Sequence, residues 1–191
     1  VNDLGVHGFT SEFTLDYDPS AYDMPPSVNP VVANSGFEEA KDGASGRNAP
    51  PADWRTITSN ALGTGSFALD TGERKSGRSS LRLTPATDRN TGIEYAFITA
   101  STPFAVNPAT DAFYSIWLKA EEDGTPVDIC LLESTSKGSA TSVERVTVNS
   151  EWARYELKCR LHNQLSRAYV GLKVYTGTVW ADDVEYREVG R

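Results

Sequence analysis

From residue 65 onward strand-like runs recur every ten to fifteen residues in this chain, several of them bounded by a pair that favours turning. Ser76-Gly77, Asp123-Gly124, Lys137-Gly138 and Thr176-Gly177 are such pairs, and Asp42-Gly43 precedes them. Glycine takes backbone conformations that close tight turns at little steric cost, so these pairs bound short elements. The runs between them alternate apolar and polar residues, with no sustained helical period. Strands are expected at about 65–70, 79–84, 92–99, 112–119, 126–133, 142–148, 152–160, 168–175 and 178–187. Leu161–Arg167 has room for one helical turn and no more. The fold class is therefore all-β, a β-sandwich jelly roll of two antiparallel sheets.

Alternation also sorts side chains by face, because successive residues of a strand point to opposite sides. In 112–119, Tyr114, Ile116 and Leu118 form the core side, leaving Phe113, Ser115, Trp117 and Lys119 outward. In 168–175, Ala168, Val170, Leu172 and Val174 read as core, with Tyr169, Gly171, Lys173 and Tyr175 outward. The run 92–99 leaves two readings open: Ile93, Tyr95 and Phe97 share one side, Glu94, Ala96 and Ile98 the other. Outward aromatic rings beside polar groups suit a sugar, which presents C–H faces and hydroxyl edges. The contact residues expected are Trp117, Tyr169 and Tyr175, with Tyr95, Arg82, Glu94 and Lys173 as polar or stacking partners. Each has a structural reading too: Trp117 as core, and Tyr169 and Tyr175 as cross-strand pairs that stiffen a sheet.

Four stretches occur in a suggestive order. Asn34-Ser35-Gly36-Phe37-Glu38-Glu39 comes first, then Trp54 after Pro50-Pro51. Ser76-Gly77-Arg78-Ser79-Ser80-Leu81-Arg82-Leu83 follows, and Trp180-Ala181-Asp182-Asp183-Val184-Glu185-Tyr186 closes the set. This order resembles the carbohydrate-binding modules of families four, nine and twenty-two, over about residues 31–188. Ala181 departs from the bulkier apolar residue usual there. The resemblance implies a non-catalytic module that binds a plant, algal or microbial polysaccharide and targets an attached glycoside hydrolase or lyase to it. It also implies a structural calcium shared by Glu38 and one of Asp182 or Asp183, with backbone carbonyls from nearby turns. Strand alternation alone sends Asp182 and Asp183 to opposite faces unless a bulge intervenes. Trp54 is expected to pack against the sandwich edge.

At 191 residues the chain suits one domain large enough for a real core. Residues 1–30, with an alternating run at 9–18 and a Pro-rich stretch after it, read as an extension or linker from a preceding domain. Residues 31–191 form the module, expected as a secreted or cell-surface monomer whose export signal lies outside this stretch. A net charge of −8 disfavours nucleic acid and anionic membrane, and points to a neutral β-glucan or xylan as partner. Cys130 and Cys159 allow either one disulfide or two separate thiols.

Catalytic patterns are sparse. His7 and His162 have no recognisable partner in sequence, and Gly63-Thr64-Gly65-Ser66 lacks the lysine of a phosphate loop. Two further classes stay open. A jelly-roll polysaccharide-degrading enzyme would use a carboxylate pair drawn from Glu94, Glu133 and Glu156, or Tyr175 as base beside Lys173. A structural or adhesion sandwich would have no sugar site.

Overall fold

The computed structural model describes residues 30–43, 49–56, 66–87, 94–95, 97–135, 138–164 and 166–189; for 86–87, 94–95 and 97–98 only the backbone is described. The expected strand at 9–18 and the linker after it lie outside these residues. Strands are β1 (Trp54–Thr56), β2 (Ser66–Asp70), β3 (Ser80–Thr84), β4 (Ala86–Thr87), β5 (Glu94–Tyr95), β6 (Phe97–Ser101) and β7 (Phe104–Val106). The long ones follow: β8 (Asp111–Ala120), β9 (Thr125–Thr135), β10 (Gly138–Val148), β11 (Ala153–Arg160), β12 (Ser166–Val174) and β13 (Val179–Val189). The first sheet runs β1-β6-β12-β9-β10, with β7 also on β12, and the second runs β11-β8-β13-β3-β2. All pairings are antiparallel. From β8 onward the chain crosses between sheets at nearly every connection, which closes the jelly roll and confirms the all-β expectation. Ser166 and Arg167 belong to β12, so the expected helical turn there does not form.

The core assembles from the faces that alternation assigned. Tyr114, Ile116 and Leu118 of β8 are fully buried against Val170, Leu172 and Val174 of β12 and Val127, Ile129 and Leu131 of β9. At about 25 cal/mol per Å² of apolar surface removed from water, such interdigitating rows are what hold two sheets together. Tyr114 keeps its hydroxyl in this core by donating to the Gly171 carbonyl at 3.4 Å. Cys130 and Cys159 are separate thiols, which settles their sequence alternatives.

The Asn34–Glu39 stretch seals one end of the core. Asn34 accepts from the Glu39 N–H and donates to the carbonyls of Glu39 and Ala52, bending the chain so that Phe37 turns inward. Phe37 is fully buried with φ 52, a conformation that costs a bulky residue energy. The site compensates: its N–H reaches the Asn34 carbonyl, Ser79 Oγ donates to its carbonyl, and its ring packs on Trp54 at 4.8 Å. Trp54 Nε1 donates to the Ala33 carbonyl, so this tryptophan packs at the sandwich edge as expected.

Gly171 marks a close approach of two strands within the first sheet. A Cβ there would lie 2.4 Å from the Thr99 carbonyl oxygen of β6. Gly171→Ala should therefore destabilise the fold by about 1–3 kcal/mol, the usual cost of forced overpacking, read from urea unfolding midpoints. An unchanged midpoint would mean that β6 yields freely at this point.

Candidate functional site

Two parts of the molecule gather polar side chains: a carboxylate-bound turn against the second sheet and the outward face of the first sheet.

The turn at 71–79 is held from both ends of the chain. Asp182, fully buried on β13, accepts the Lys75 and Ser76 N–H groups on Oδ2 and the Asp183 N–H on Oδ1. Burial pushes its carboxyl up to about 6, less far than it otherwise would because these three N–H groups favour the anion. The β13 register shifts between Asp182 and Glu185, with Asp183 at φ 47, and this bulge lets Val184 point to the core. Asp183 accepts from Ser76 Oγ at 2.7 Å. Glu38 accepts the Arg78 N–H at 2.9 Å and pairs with the Arg78 side chain. Gly77 suits this place because its φ of 57 favours glycine, and a Cβ there would also displace the Glu38 carboxylate.

Of the two aspartates offered as alternatives beside Glu38 for calcium, Asp182 is the less suited, because N–H donors already surround its oxygens. Glu38 and Asp183 both flank residues 76–78 with oxygen donors of the kind calcium takes. Among the described residues no three His, Cys, Asp or Glu side chains are grouped to hold a metal. A cation here would thus need carbonyl oxygens to complete its shell.

On the first sheet, pairing aligns outward residues in rows across the strands. One row is Arg55, Ala100, Gly171, Cys130 and Val143. Its three central members are small, so it forms a shallow trough. Beside it on one side lie Tyr169, Leu132 and Thr141, and on the other Lys173, Asp128 and Arg145. Ala100, Cys130, Leu132, Tyr169 and Asp128 are buried although they face away from the core, whereas Val143 at the β10 margin is 45% exposed. Arg55 stands at the β1 end with its guanidinium 5.5 Å from the Tyr169 ring. Its Nε is buried and has no hydrogen-bond partner among the described residues. At the far end Arg145 grips Asp128 through two bonds of 2.7 and 3.1 Å, and the Tyr175 hydroxyl donates to Asp128 at 2.5 Å. Arg145 and Lys173 each lie 4.8 Å from the Tyr175 ring.

The expected contact residues therefore divide between two opposite faces. Tyr169, Tyr175 and Lys173 belong together on the first sheet. Trp117 and Arg82 lie outward on the second sheet, so the structure does not join them to the others. Trp117 sits under the Lys75 amine at 4.4 Å, and Arg82 pairs with Asp70 at 3.8 Å and reaches Ser66 Oγ. Glu94 and Tyr95 form β5, paired only with β4, and their side chains are outside the description. Sequence reasoning missed Arg55, Asp128 and Arg145. Arg55 belongs to a three-residue strand too short to show alternation, while Asp128 and Arg145 become neighbours only through the β9–β10 register.

Among the described residues no catalytic arrangement emerges from the groups the sequence offered. Glu133 points inward from β9 and is buried, whereas Glu156 faces outward on β11 of the other sheet, so these two carboxylates do not flank a common space. His162, without a partner in sequence, binds Glu133 through Nδ1 at 2.6 Å. Ser166 donates to the same carboxylate rather than to the imidazole, so no nucleophile–base pair forms. An open pocket of ≈ 220 Å³ beside His162 is lined by Thr135, Gly138, Ser139 and Gln164. Burial first, then the Asp128 carboxylate, raise the Tyr175 hydroxyl above its ordinary range, the opposite of what a lyase base needs.

No family model matches the sequence, and no curated protein matches it. Solved structures do match in fold. A carbohydrate-binding module of family 16 superposes over 82% of this chain and 99% of its own at 14% identity, with a TM-score of 0.55. The family 22 module of a Clostridium thermocellum xylanase, solved with its catalytic module and xylohexaose, is 13% identical over 86% of this chain and 29% of that one, with a TM-score of 0.57. The enzymatically active domain of tailspike protein 4 from bacteriophage CBA120 is 15% identical over 72% of this chain, with a TM-score of 0.53. The chain spans only 20% of that tailspike domain. The chain thus has the β-sandwich fold of the carbohydrate-binding modules.

Asp182→Ala would leave three backbone N–H groups without their acceptor. Each buried, unsatisfied group costs about 1–3 kcal/mol, so a loss of about 3 kcal/mol or more is expected in chemical unfolding. Glu185→Ala, which removes only a solvent-exposed pair with Arg154, should change stability by less than about 0.5 kcal/mol. Equal effects of the two would show that the turn does not depend on Asp182.

Proposed function

We propose that the chain is a non-catalytic polysaccharide-binding module whose glycan lies along the trough on the outward face of the first sheet. The observation that carries this reading is the set of more exposed cationic side chains, Arg55 at one end and Lys173 and Arg145 at the other, that border the buried small residues Ala100, Gly171 and Cys130. A trough across a sheet accommodates internal segments of a polymer better than its ends. The fold shared with modules of families 16 and 22, one of them solved with xylohexaose and its catalytic module, supports the same reading. By that analogy the module would hold an attached polysaccharide-degrading enzyme near its polymer outside the cell, raising effective concentration without new chemistry. Open stacking on aromatic rings is not the main recognition mode here, because cations already cover the Tyr169 and Tyr175 rings. Arginine and lysine donors reading hydroxyls and ring oxygens would do more.

Affinity electrophoresis in gels containing xylan, mixed-linkage β-glucan, laminarin, mannan or alginate tests this reading. At least one polymer should retard the chain without being depolymerised. Arg55→Ala should weaken that binding about tenfold, equivalent to about 1.4 kcal/mol, while Trp117→Ala on the opposite face should leave it unchanged. Sensitivity to Trp117 alone would move the site to the second sheet, and loss of polymer chain length would make the domain an enzyme.

Glu38 and Asp183 are also proposed to hold a structural calcium with carbonyl oxygens of the neighbouring turn. An ion bound only by the folded state raises its stability with concentration. Calcium should therefore raise the thermal midpoint relative to EDTA, and Glu38→Gln should abolish the difference. Identical midpoints in both buffers would leave Arg78 and Ser76 as the partners of these carboxylates.

A further inference from the structure

The net charge of the chain points to a neutral ligand, but the face that forms the trough has the opposite sign. Among the described side chains that the first sheet and its immediate exit carry outward, the cations are Arg55, Arg145, Arg167 and Lys173. The one carboxylate is Asp128, on a chain of net charge −8. Asp128 is buried, and both its oxygens are taken by Arg145 and by the Tyr175 hydroxyl. It therefore offsets Arg145 locally and presents no free anion to a ligand. Arg55, at the β1 end of the trough, has no carboxylate partner among the described residues, and its buried Nε has no acceptor. A buried guanidinium N–H lacking an acceptor is costly, and a planar guanidinium matches the two oxygens of a carboxylate.

We infer that the glycan taken by this face is acidic, a polysaccharide bearing uronate carboxylates, with Arg55 as the principal carboxylate-reading residue. The inference rests on the reading of the trough as the glycan site and names the ligand class for it. Arg167, one strand row beyond Tyr169, and Lys173 on the other side of the trough add positive charge along its length. The argument uses their charge and does not require either to be unpaired. The acidic remainder of the surface then has a role as well. It disfavours adhesion of anionic polymer anywhere but this face, so the polymer is directed to one sheet.

The test compares matched polymers on the 191-residue chain. Native gels are cast with polygalacturonate, alginate or glucuronoxylan, with the same polymers after reduction of carboxyl groups to alcohols, and with dextran sulfate. The expected result is retardation by at least one uronate polymer, at least tenfold weaker after carboxyl reduction and weaker still at high salt. Arg55→Gln should reproduce the loss on the native polymer and have little effect on the reduced one. Arg167→Gln should weaken binding less. Circular dichroism of each variant separates loss of binding from loss of fold. Equal retardation by native and reduced polymers would overturn the acidic ligand while leaving polysaccharide binding intact. Equal retardation by dextran sulfate would reduce the effect to unspecific charge and overturn it too. No retardation by any polymer, neutral or acidic, would overturn both readings.

Discussion

Three backbone N–H groups converge on the buried carboxylate of Asp182, and much of the second sheet's outer layer follows from where they come from. Two belong to Lys75 and Ser76 in the turn between β2 and β3, and the third to Asp183 in the bulge itself. The last strand thereby fixes the position of a turn more than a hundred residues earlier. Once that turn is fixed, Lys75 lies over Trp117, Glu73 meets Lys119 at 2.7 Å, and Ser79 reaches the Phe37 carbonyl. Glu38 then closes the arrangement from the N-terminal side by binding the Arg78 N–H. Two stretches at opposite ends of the module thus meet through one turn. Charge-assisted bonds to backbone donors are stronger than neutral ones, so a single carboxylate can organise this much chain.

The outward rings share another constraint. Trp117 lies under Lys75, Trp180 near Lys119, Phe113 between Lys158 and Arg187, Tyr169 under Arg55, and Tyr175 beside Arg145 and Lys173. Each such contact is worth about 0.5–1 kcal/mol at an exposed site. It also lets an aromatic side chain lie on a sheet face without a bare apolar patch. On the second sheet two of the cations above the rings have acidic partners, Lys119 with Glu73 and Arg187 with Glu156. The first sheet differs in that, among the described residues, its one outward carboxylate, Asp128, is consumed within the Arg145–Tyr175 cluster. The contrast between the sheets is one of charge balance rather than of aromatic content.

The strand pattern was legible because alternation and glycine turns report on backbone pairing directly. The faces assigned to Tyr114, Ile116 and Leu118, and to Val170, Leu172 and Val174, are the faces the core uses. The short strands β1, β4 and β7 were not legible, since two or three residues cannot display a period. The site was less readable for a related reason. Sequence can say that Trp117 and Tyr169 both point out of a sheet, but not that the sheets differ. The rows that bring Arg55, Gly171 and Cys130 into line, or Asp128 opposite Arg145, depend on register between strands distant in the chain. Net charge averages over faces that the fold separates, so it does not report the cationic side chains that the first sheet brings together.

A sheet face has advantages as a floor for a polymer that a loop would lack. Its residues are spaced by backbone pairing and its side chains are held by neighbours, so little ordering entropy remains to be lost on binding. Gly171 shows how closely that spacing is set, since β6 approaches β12 there to a distance that excludes even a methyl group. Register then leaves Arg55 and Val143 at the two ends of the row that Gly171 shares with Ala100 and Cys130. Strand pairing within the first sheet thus shapes the surface that the sheet turns outward. For a polymer bound there, the polar groups along the row would supply direction and charge, while backbone pairing fixes their spacing.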